Sequence, residues 1–318
     1  MRIFSETDIG LLREENQDCV WSGELSGGAC AAVLCDGMGG EAHGGLASRL
    51  AVEVISKRIA ESFSEMMNRN SVRNLLITAV SAANSVVTEA AMKEPGIVMG
   101  TTCVAAIVSG GKAYIVNVGD SRGYHVFTSG DSECIQQVTK DHSHVQELID
   151  KGEITEEQAK IHPDRNKITR AIGADSMVTP DYFELELSGG DMLLLCSDGL
   201  SSYVDDMVIL DICFENPPEK VCQNLIDCAN AYGGSDIFQS RFLPYKRDIL
   251  QFDYNFFNPV DILGSNMLLY YSKRKINFPF TIISKCLAHT FALRTPRVSA
   301  NSKRQKFLPF TIIGVDPR

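Results

Sequence analysis

Residues 31–40 read Ala-Ala-Val-Leu-Cys-Asp-Gly-Met-Gly-Gly, an apolar run that ends abruptly at an aspartate beside glycine. The same pattern recurs where residues 113–118 are followed by Gly119-Asp120 and where residues 192–197 are followed by Asp198-Gly199. A weaker instance, Gly233-Gly234-Ser235-Asp236, follows a segment with helical spacing. Short apolar runs bounded by glycine are typical of buried strands. The sequence therefore predicts several strands that each end at an aspartate.

The segments around these runs have the spacing of helices and hairpins. Apolar residues recur at helical intervals over residues 44–67, 72–91 and 217–229. Residues 102–108 and 112–118 flank two glycines, and residues 122–127 and 135–139 flank a Ser-Gly-Asp turn, so each pair is expected to form an antiparallel hairpin. Antiparallel strands bracketed by helices predict an α+β sandwich of stacked sheets covered by helices.

Aspartates at strand ends have two interpretations. A single Asp-Gly pair is most often an ordinary turn. Strand ends in one sheet meet at one edge, however, and several carboxylates gathered there need cations to stay ionised. Oxygen ligands without neighbouring histidine or cysteine favour Mg²⁺ or Mn²⁺, and two such ions can activate water for displacement at phosphorus. The second interpretation predicts phosphoester hydrolysis.

Composition restricts the class of protein. The 318 residues carry 30 basic and 40 acidic side chains, a net charge of −10, which argues against a general nucleic-acid binder or a polybasic membrane-surface protein. Residues 1–8 lack the pattern of a signal peptide, and no uncharged apolar run reaches the roughly 18 residues of a membrane span. The ten cysteines include no Cys-x-x-Cys pair. We expect reduced thiols in a soluble, cytoplasmic protein rather than a zinc site or a disulfide framework.

Seven short motifs follow one another along residues 1–236. They are Ser5-x-x-Asp8-x-Gly10-x-x-Arg13-x-x-Asn16-Gln17-Asp18, Asp36-Gly37-Met38-Gly39-Gly40, Gly100-Thr101-Thr102, Val118-Gly119-Asp120-Ser121-Arg122, Asp141-His142-Ser143, Arg165-Asn166-x-Ile168-Thr169-Arg170-x-x-Gly173 and Ser197-Asp198-Gly199. Each motif is short, but the ordered combination is specific. In this order they resemble the motifs of bacterial metal-dependent serine/threonine protein phosphatases of type 2C.

The resemblance implies a fold and a set of metal ligands. The family fold is a four-layer α-β-β-α sandwich of two antiparallel sheets flanked by helix pairs. By resemblance, Asp36 bridges two Mn²⁺ or Mg²⁺ ions, with the Gly37 carbonyl and Asp18 serving one of them. Asp198 and Asp236 complete the other ion.

Further roles follow from the same resemblance. Arg13 matches the family's phosphate clamp, a role that suits a planar fork of permanent charge; a surface ion pair with Glu14 is the alternative. Asp120 matches the ligand of an additional, weaker metal ion in bacterial members. Residues from about 144 to 181 resemble the flap beside the site. Animal relatives carry a histidine that can protonate the leaving group where this chain has Met38, so water or another group must supply that proton here.

The implied activity is hydrolysis of phosphoserine and phosphothreonine in proteins, by a monomer that opposes a serine/threonine kinase. Phosphoproteins are the expected partners, and no nucleic acid or membrane partner is expected. Two alternatives stay open. One is a catalytically impaired family member that binds phosphoproteins or a regulator, and the other is hydrolysis of a small phosphate ester by the same two-ion chemistry.

The match to the family ends at Asp236. Residues 1–236 carry 36 acidic and 17 basic side chains, whereas residues 237–318 carry 4 and 13 and hold ten of the fifteen phenylalanines. The family motif continues with Asn and a β-branched strand, but here Ile237 follows. We therefore expect a catalytic domain over residues 1–236 with its final strand altered.

Residues 237–318 are expected to form a basic, aromatic-rich tail unrelated to that domain, produced by a frameshift or rearrangement, or poorly ordered. Stacking of its aromatic residues on single-stranded nucleic acid is the alternative. The tail contains Pro-Phe-Thr-Ile-Ile twice, within residues 278–283 and 308–313. The sequence alone does not explain this repeat.

Overall fold

The computed structural model describes residues 1–10, 15–39, 43–93, 98–233, 268–271, 274–277 and 308–314. The chain forms two compact units. One consists of Met1–Arg241 together with Arg304–Arg318, and the other of Phe242–Lys303.

The first unit contains strands both before and after the second unit in the chain. They are β1 (Arg2–Asp8), β2 (Asp18–Glu24), β3 (Cys30–Met38), β4 (Gly100–Thr101), β5 (Cys103–Ser109), β6 (Lys112–Val118), β7 (Arg122–Ser129), β8 (Ser132–Gln137), β9 (Asp181–Glu186), β10 (Met192–Cys196) and β13 (Leu308–Gly314). In the second unit, β11 (Leu268–Tyr271) and β12 (Arg274–Asn277) form an antiparallel pair.

The first unit also contains helices, which lie between β1 and β13 in the chain. They are α1 (His43–Ser62), α2 (Arg69–Met92), α3 (His144–Asp150), α4 (Glu156–Lys160), α5 (Asp198–Ser201), α6 (Asp206–Glu215) and α7 (Pro218–Gly233), with a short 3-10 turn at Ser26–Gly28. The helices predicted near residues 44–67, 72–91 and 217–229 are thus confirmed as α1, α2 and α7.

Two antiparallel sheets form the centre of this unit. One has the strand order β1-β13-β10-β7-β8, and the other has the order β2-β3-β5-β6-β9 with β4 paired to β3. Both predicted hairpins are present, since β5 pairs with β6 and β7 pairs with β8. In the first hairpin Gly110 and Gly111 have φ of 59° and 73°, which a tight turn with the native strand twist requires.

Three hydrophobic clusters show that the architecture has four layers. Alternation along β3 separates two of them: Ala31 and Val33 pack with α1 and α2, whereas Ala32 and Leu34 face the other sheet. The third cluster joins the outer face of the first sheet to helices α6 and α7. Because strands buried on both faces need apolar residues at every position, β3 and β10 read as continuous apolar runs. The predicted α-β-β-α sandwich is confirmed.

Helix α2 is long and apolar enough to meet the length and composition criteria for a membrane span. Its apolar stripe is used in packing, because Val72, Leu76, Val80 and Val87 are buried in the same cluster as the inner face of α1. Its N-terminus is capped by Asn68, whose side chain accepts from the Ser71 amide at 3.0 Å. A core helix therefore explains this composition.

The final strand of the first sheet comes from the end of the chain. Strand β13 pairs with β1 from Arg2↔Gly314 to Asp8↔Leu308, and with β10 from Met192↔Gly314 to Cys196↔Phe310. Thr311, Ile312 and Ile313 are completely buried. Ile312 belongs to the cluster under α6 and α7, and Ile313 lies between the two sheets.

The expectation of a tail unrelated to the catalytic domain was therefore wrong for Leu308–Gly314. The final strand was expected to be altered, and the alteration is its place in the sequence: it begins at Leu308 and does not directly follow Asp236. The second copy of Pro-Phe-Thr-Ile-Ile forms this strand, and the first copy lies outside the described residues. From the sequence, the final strand was expected directly after the last motif. Strand pairing depends on register and burial, however, and the entropy cost of closing a loop grows only slowly with its length. A segment much later in the chain can therefore form this strand.

Candidate active site

Two predicted ligands lie opposite each other on neighbouring strands. Asp18 begins β2 and pairs with Asp36 near the end of β3. Asp18 is 8% exposed, and Asp36 is half-buried. Opposed residues on antiparallel strands have Cβ atoms about 5 Å apart, so the two carboxylates occupy one side of the sheet edge.

The strand registers bring Asp120 and Asp198 to the same end of the sandwich. Strands β3 and β6 both run antiparallel to β5, so Asp36 and Asp120 lie at the same end of their sheet. Strand β7 starts two residues after Asp120, and its first residue, Arg122, pairs with Cys196 at the end of β10. Asp198 lies two residues after Cys196, is 5% exposed and begins α5. Asp36, Asp120 and Asp198, which follow three of the predicted strands, therefore lie at the same end of the sandwich as Asp18; Asp236, the fourth aspartate of that prediction, lies outside the described residues.

A chain of hydroxyl groups holds the backbone of Asp36. The Asp36 amide donates to Thr102 Oγ1 at 3.0 Å, and Thr101 Oγ1 donates to the Asp36 carbonyl at 2.8 Å. Thr102 Oγ1 in turn lies 2.7 Å from Ser121 Oγ. Because Ser121 directly follows Asp120, these hydrogen bonds connect the turn that carries Asp36 to the turn that carries Asp120. Sequence reasoning identified these residues as motif members but missed this role.

Glycine is required at position 37 by close packing of the backbone. The Gly37 amide donates to the Gln17 carbonyl at 3.1 Å. A Cβ at Gly37 would lie 2.6 Å from that oxygen and would collide with the Gly44 carbonyl. Ser48 Oγ also donates to the Gln17 carbonyl, at 2.5 Å. The start of α1 is thereby packed against the Asp18 and Asp36 pair.

Gly119 shapes the turn before Asp120. Its φ of 102° is unfavourable for any residue with a side chain. A Cβ there would lie 2.6 Å from Thr102 Cγ2 and 2.7 Å from Thr102 Cβ. Beyond the turn, Arg122 makes a bidentate pair with Asp141: Nη2 donates to Oδ2 at 2.7 Å and Nε donates to Oδ1 at 3.0 Å. The turn is thus fixed from both sides.

Gly119→Ala is expected to destabilise the protein by about 2–4 kcal/mol, from positive-φ strain together with overpacking against Thr102. Gly110→Ala is the matched control, since Gly110 also has positive φ (59°) but a Cβ there meets nothing within 4 Å. It should cost only about 1–2 kcal/mol. Urea denaturation measures both values. Equal losses would show that contact with Thr102 contributes nothing.

The segment predicted as a flap is joined to the site. Thr101 and Ile172 exchange backbone hydrogen bonds of 3.0 and 2.9 Å, and Ser143 bridges to Ile168. Helix α4 is capped by Thr155, with Gln158 completing a capping box. The segment is therefore attached through Thr101, the residue whose hydroxyl holds the Asp36 carbonyl.

The possible metal-binding atoms near Asp36 suit a hard cation. Burial raises the pKa of the Cys35 thiol well above its usual value and that of Cys196 to about 12, so both stay neutral beside their aspartate-bearing turns. Carboxylates then provide the negative charge, and oxygen ligands of this kind fit Mg²⁺ or Mn²⁺. The residues present therefore fit the predicted ions.

Two predicted site residues, Arg13 and Asp236, lie outside the described residues. Within the described ranges, no three histidine, cysteine, aspartate or glutamate side chains come together as a metal site. Among these residues the carboxylates therefore have to be supplemented by backbone carbonyls or water. The metal-binding roles of Asp18, Asp36, Gly37, Asp120, Asp198 and Asp236 stay predictions.

Comparison with known proteins gives consistent matches. The family model described as protein phosphatase 2C matches residues 13–232. The chain is 34% identical over 247 residues to a protein of Listeria monocytogenes named serine/threonine phosphatase stp, covering 77% of this chain and 95% of the other. It is also 34% identical over 262 residues to the serine/threonine protein phosphatase PstP of Mycobacterium tuberculosis, covering 82% of this chain and 47% of that protein.

Solved structures match the fold as well. A serine/threonine phosphatase of S. agalactiae superposes with a TM-score of 0.66 at 33% identity, over 73% of this chain and 94% of the other. The catalytic domain of the serine/threonine protein phosphatase PstP in complex with two manganese ions superposes with a TM-score of 0.62 at 34% identity. That match covers 74% of this chain and 94% of the other.

Proposed function

The chain belongs to the protein phosphatase 2C family, and from that premise we propose that the aspartates at one end of its sandwich hold the metal ions of a serine/threonine protein phosphatase. The observation that carries the proposal is the convergence of Asp18, Asp36, Asp120 and Asp198 at that end. The activity is metal-dependent hydrolysis of phosphoserine and phosphothreonine in proteins.

Each residue has a distinct task in this proposal. Asp36 would help to hold two ions, one of them together with Asp18 and the Gly37 carbonyl and the other together with Asp198 and Asp236. Asp120 would hold a third, more weakly bound ion. The direct opposition of Asp18 and Asp36 and the low exposure of Asp198 support these assignments.

Bound Mn²⁺ or Mg²⁺ would supply a nucleophilic water of lowered pKa and would stabilise charge on the phosphoryl oxygens. The remaining tasks belong to the chain. Arg13 clamps the phosphate with its planar guanidinium. Thr101 and Thr102 hold the Asp36 backbone, and Ser121 holds Thr102, so these groups need little reorganisation during the reaction. Met38 has no exchangeable proton, and the leaving group takes its proton from elsewhere.

Manganese is the ion we propose first, because the related PstP catalytic domain was solved with two manganese ions. The alternative of a catalytically impaired member that binds phosphoproteins or a regulator was based on the altered residues 236–240, which lie outside the described residues. The similarity to proteins named as serine/threonine phosphatases favours a catalytic function over this alternative.

Phosphoproteins are the substrates, and a serine/threonine kinase is the proposed opposing enzyme because it forms the bond that is hydrolysed. We also propose a cytoplasmic monomer. Reduced thiols support this location: nine of the ten cysteines lie in the described part of the chain, and all nine are free.

The test is hydrolysis of a phosphothreonine peptide and of p-nitrophenyl phosphate by the full chain, with Mn²⁺ and after chelation by EDTA. We expect turnover of both substrates with Mn²⁺ and its loss with EDTA. A phosphotyrosine peptide is the control for specificity. Turnover of p-nitrophenyl phosphate without turnover of the peptide would instead favour a small-molecule phosphatase.

A further inference from the structure

We infer that His142 is a positioning residue that sets the geometry of the Gly119-Asp120 turn and thereby the metal affinity at Asp120. This inference rests on the proposed function, which makes Asp120 a metal ligand. The sequence analysis identified His142 only as a member of the motif Asp141-His142-Ser143.

His142 and Gly119 are joined by two hydrogen bonds. The Gly119 amide donates to His142 Nδ1 at 3.0 Å, and the His142 amide donates to the Gly119 carbonyl at 2.9 Å. The same carbonyl accepts from Asn117 Nδ2 at 3.2 Å. Asp120 is the next residue along the chain. The orientation of its backbone therefore depends directly on the imidazole ring.

The other edge of the ring contacts the predicted flap and the strand after it. His142 Nε2 lies 3.2 Å from the Asp181 carboxylate and 3.0 Å from Arg170 Nη1. Arg170 Nη1 donates to Asp181 at 2.6 Å and to the Thr179 carbonyl at 3.0 Å. A ring nitrogen that accepts from a backbone amide carries no proton, so Nε2 carries it and donates to Asp181. Arginine has no acceptor, so the contact of Nε2 with Arg170 places two donors side by side and is not a hydrogen bond in this tautomer.

Burial keeps this ring neutral. Although the Asp181 carboxylate opposes the effect, desolvation lowers the pKa of His142 below its usual value. His142 is 7% exposed, and its two nitrogens have different partners. A neutral ring with a single tautomer can hold Gly119 on one side and Asp181 on the other. Residues that do not bind the metal themselves but orient its ligands through hydrogen bonds commonly change metal affinity.

Two substitutions separate the functions of the two nitrogens. His142→Asn keeps an acceptor near the position of Nδ1, whereas His142→Gln keeps a polar group near the position of Nε2 and removes the acceptor for the Gly119 amide. Asp120→Asn is the reference that weakens the proposed ligand itself. Binding is measured by titrating each full-length protein with Mn²⁺ and recording free Mn²⁺ by electron paramagnetic resonance. Melting temperatures report the stability of every variant.

We expect Asp120→Asn to remove the weakest class of bound Mn²⁺. His142→Gln should raise the dissociation constant of that class about 10-fold to 100-fold, whereas His142→Asn should stay within about 3-fold of the unmodified protein. The double variant His142→Gln/Asp120→Asn should match Asp120→Asn alone, because both changes act through one site. Tighter classes of Mn²⁺ should be unchanged.

Unchanged Mn²⁺ binding in His142→Gln would overturn the inference, as would equal losses in the asparagine and glutamine variants. The inference would also be overturned if Asp120→Asn retained every class of bound Mn²⁺. If His142→Gln does not fold, Asp181→Ala tests the same contact from the other side of the ring, and unchanged affinity there counts against the inference. Failure of the proposed function is a separate result, namely no turnover by the unmodified protein despite bound Mn²⁺.

Discussion

Asp198→Asn is expected to lower Mn²⁺-dependent turnover of p-nitrophenyl phosphate at least about 10³-fold, since bound metal contributes several kcal/mol to transition-state stabilisation. Asparagine preserves the size of the side chain but lacks the negative charge that Asp198 would present to the ion. The residue is 5% exposed at the start of α5. Initial rates at several Mn²⁺ concentrations, with a melting curve for each protein, provide the measurement.

Asp191→Asn is the matched control for this prediction. Asp191 lies just before β10, at the end opposite Asp198, and is 7% exposed. Its carboxylate lies 2.9 Å from His125 Nε2 and accepts from the Ser188 amide at 2.9 Å. The variant should lose about 1–3 kcal/mol of stability because a buried hydrogen-bonded pair is altered, yet keep its turnover. Equal losses of turnover in the two variants would contradict the assignment of Asp198.

A chain that ends at Phe307 is expected to show no cooperative unfolding transition. Without β13, the facing edges of β1 and β10 have no partner strand, and the sites of Ile312 and Ile313 in two hydrophobic clusters are empty. Unpaired buried backbone groups and lost burial together exceed the usual margin of about 5–15 kcal/mol. Thermal denaturation followed by circular dichroism is the measurement.

A chain that ends at Gly314 is the truncation control that keeps β13, and it should unfold like the 318-residue chain. Graded substitutions test the same strand without truncation. Ile312→Val should cost about 0.5–1.5 kcal/mol and Ile312→Ala about 2–5 kcal/mol, since the side chain is completely buried. A cooperative transition in the chain ending at Phe307 would show that β13 is not needed for the fold.

The position of β13 also explains how the domain can be discontinuous in sequence. Leu308 pairs with Asp8 at the end of β1. Asn230, in the last turn of α7, donates to the Asp8 side chain at 3.2 Å. The chain therefore leaves α7 and enters β13 at neighbouring places. Closing a long loop between two such points costs little more than closing a short one.

Much of the fold, and the position of the candidate site at one end of the sandwich, could be predicted from the sequence. The apolar periodicity of residues 44–67 and 72–91 predicted α1 and α2, because a helix that packs on a sheet needs one apolar face. Repeated apolar runs that end in aspartate predicted both the strands and the end of the sandwich where the candidate site lies. Strand β2 and helix α6 were missed. Residues 206–215 of α6 contain a nearly continuous apolar run, in which periodicity does not distinguish helix from strand.

Only the tertiary structure decided which strand completes the first sheet and which residues hold the aspartates in place. Strand β13 fills its position by register and burial, and neither depends on its distance along the chain from Asp236. The hydrogen bonds between Asp36 and Thr102, between Thr102 and Ser121 and between Gly119 and His142 join residues 66, 19 and 23 positions apart. Such contacts leave no periodic pattern in the sequence, because they exist only when separate strand ends are brought together by the packing of the two sheets.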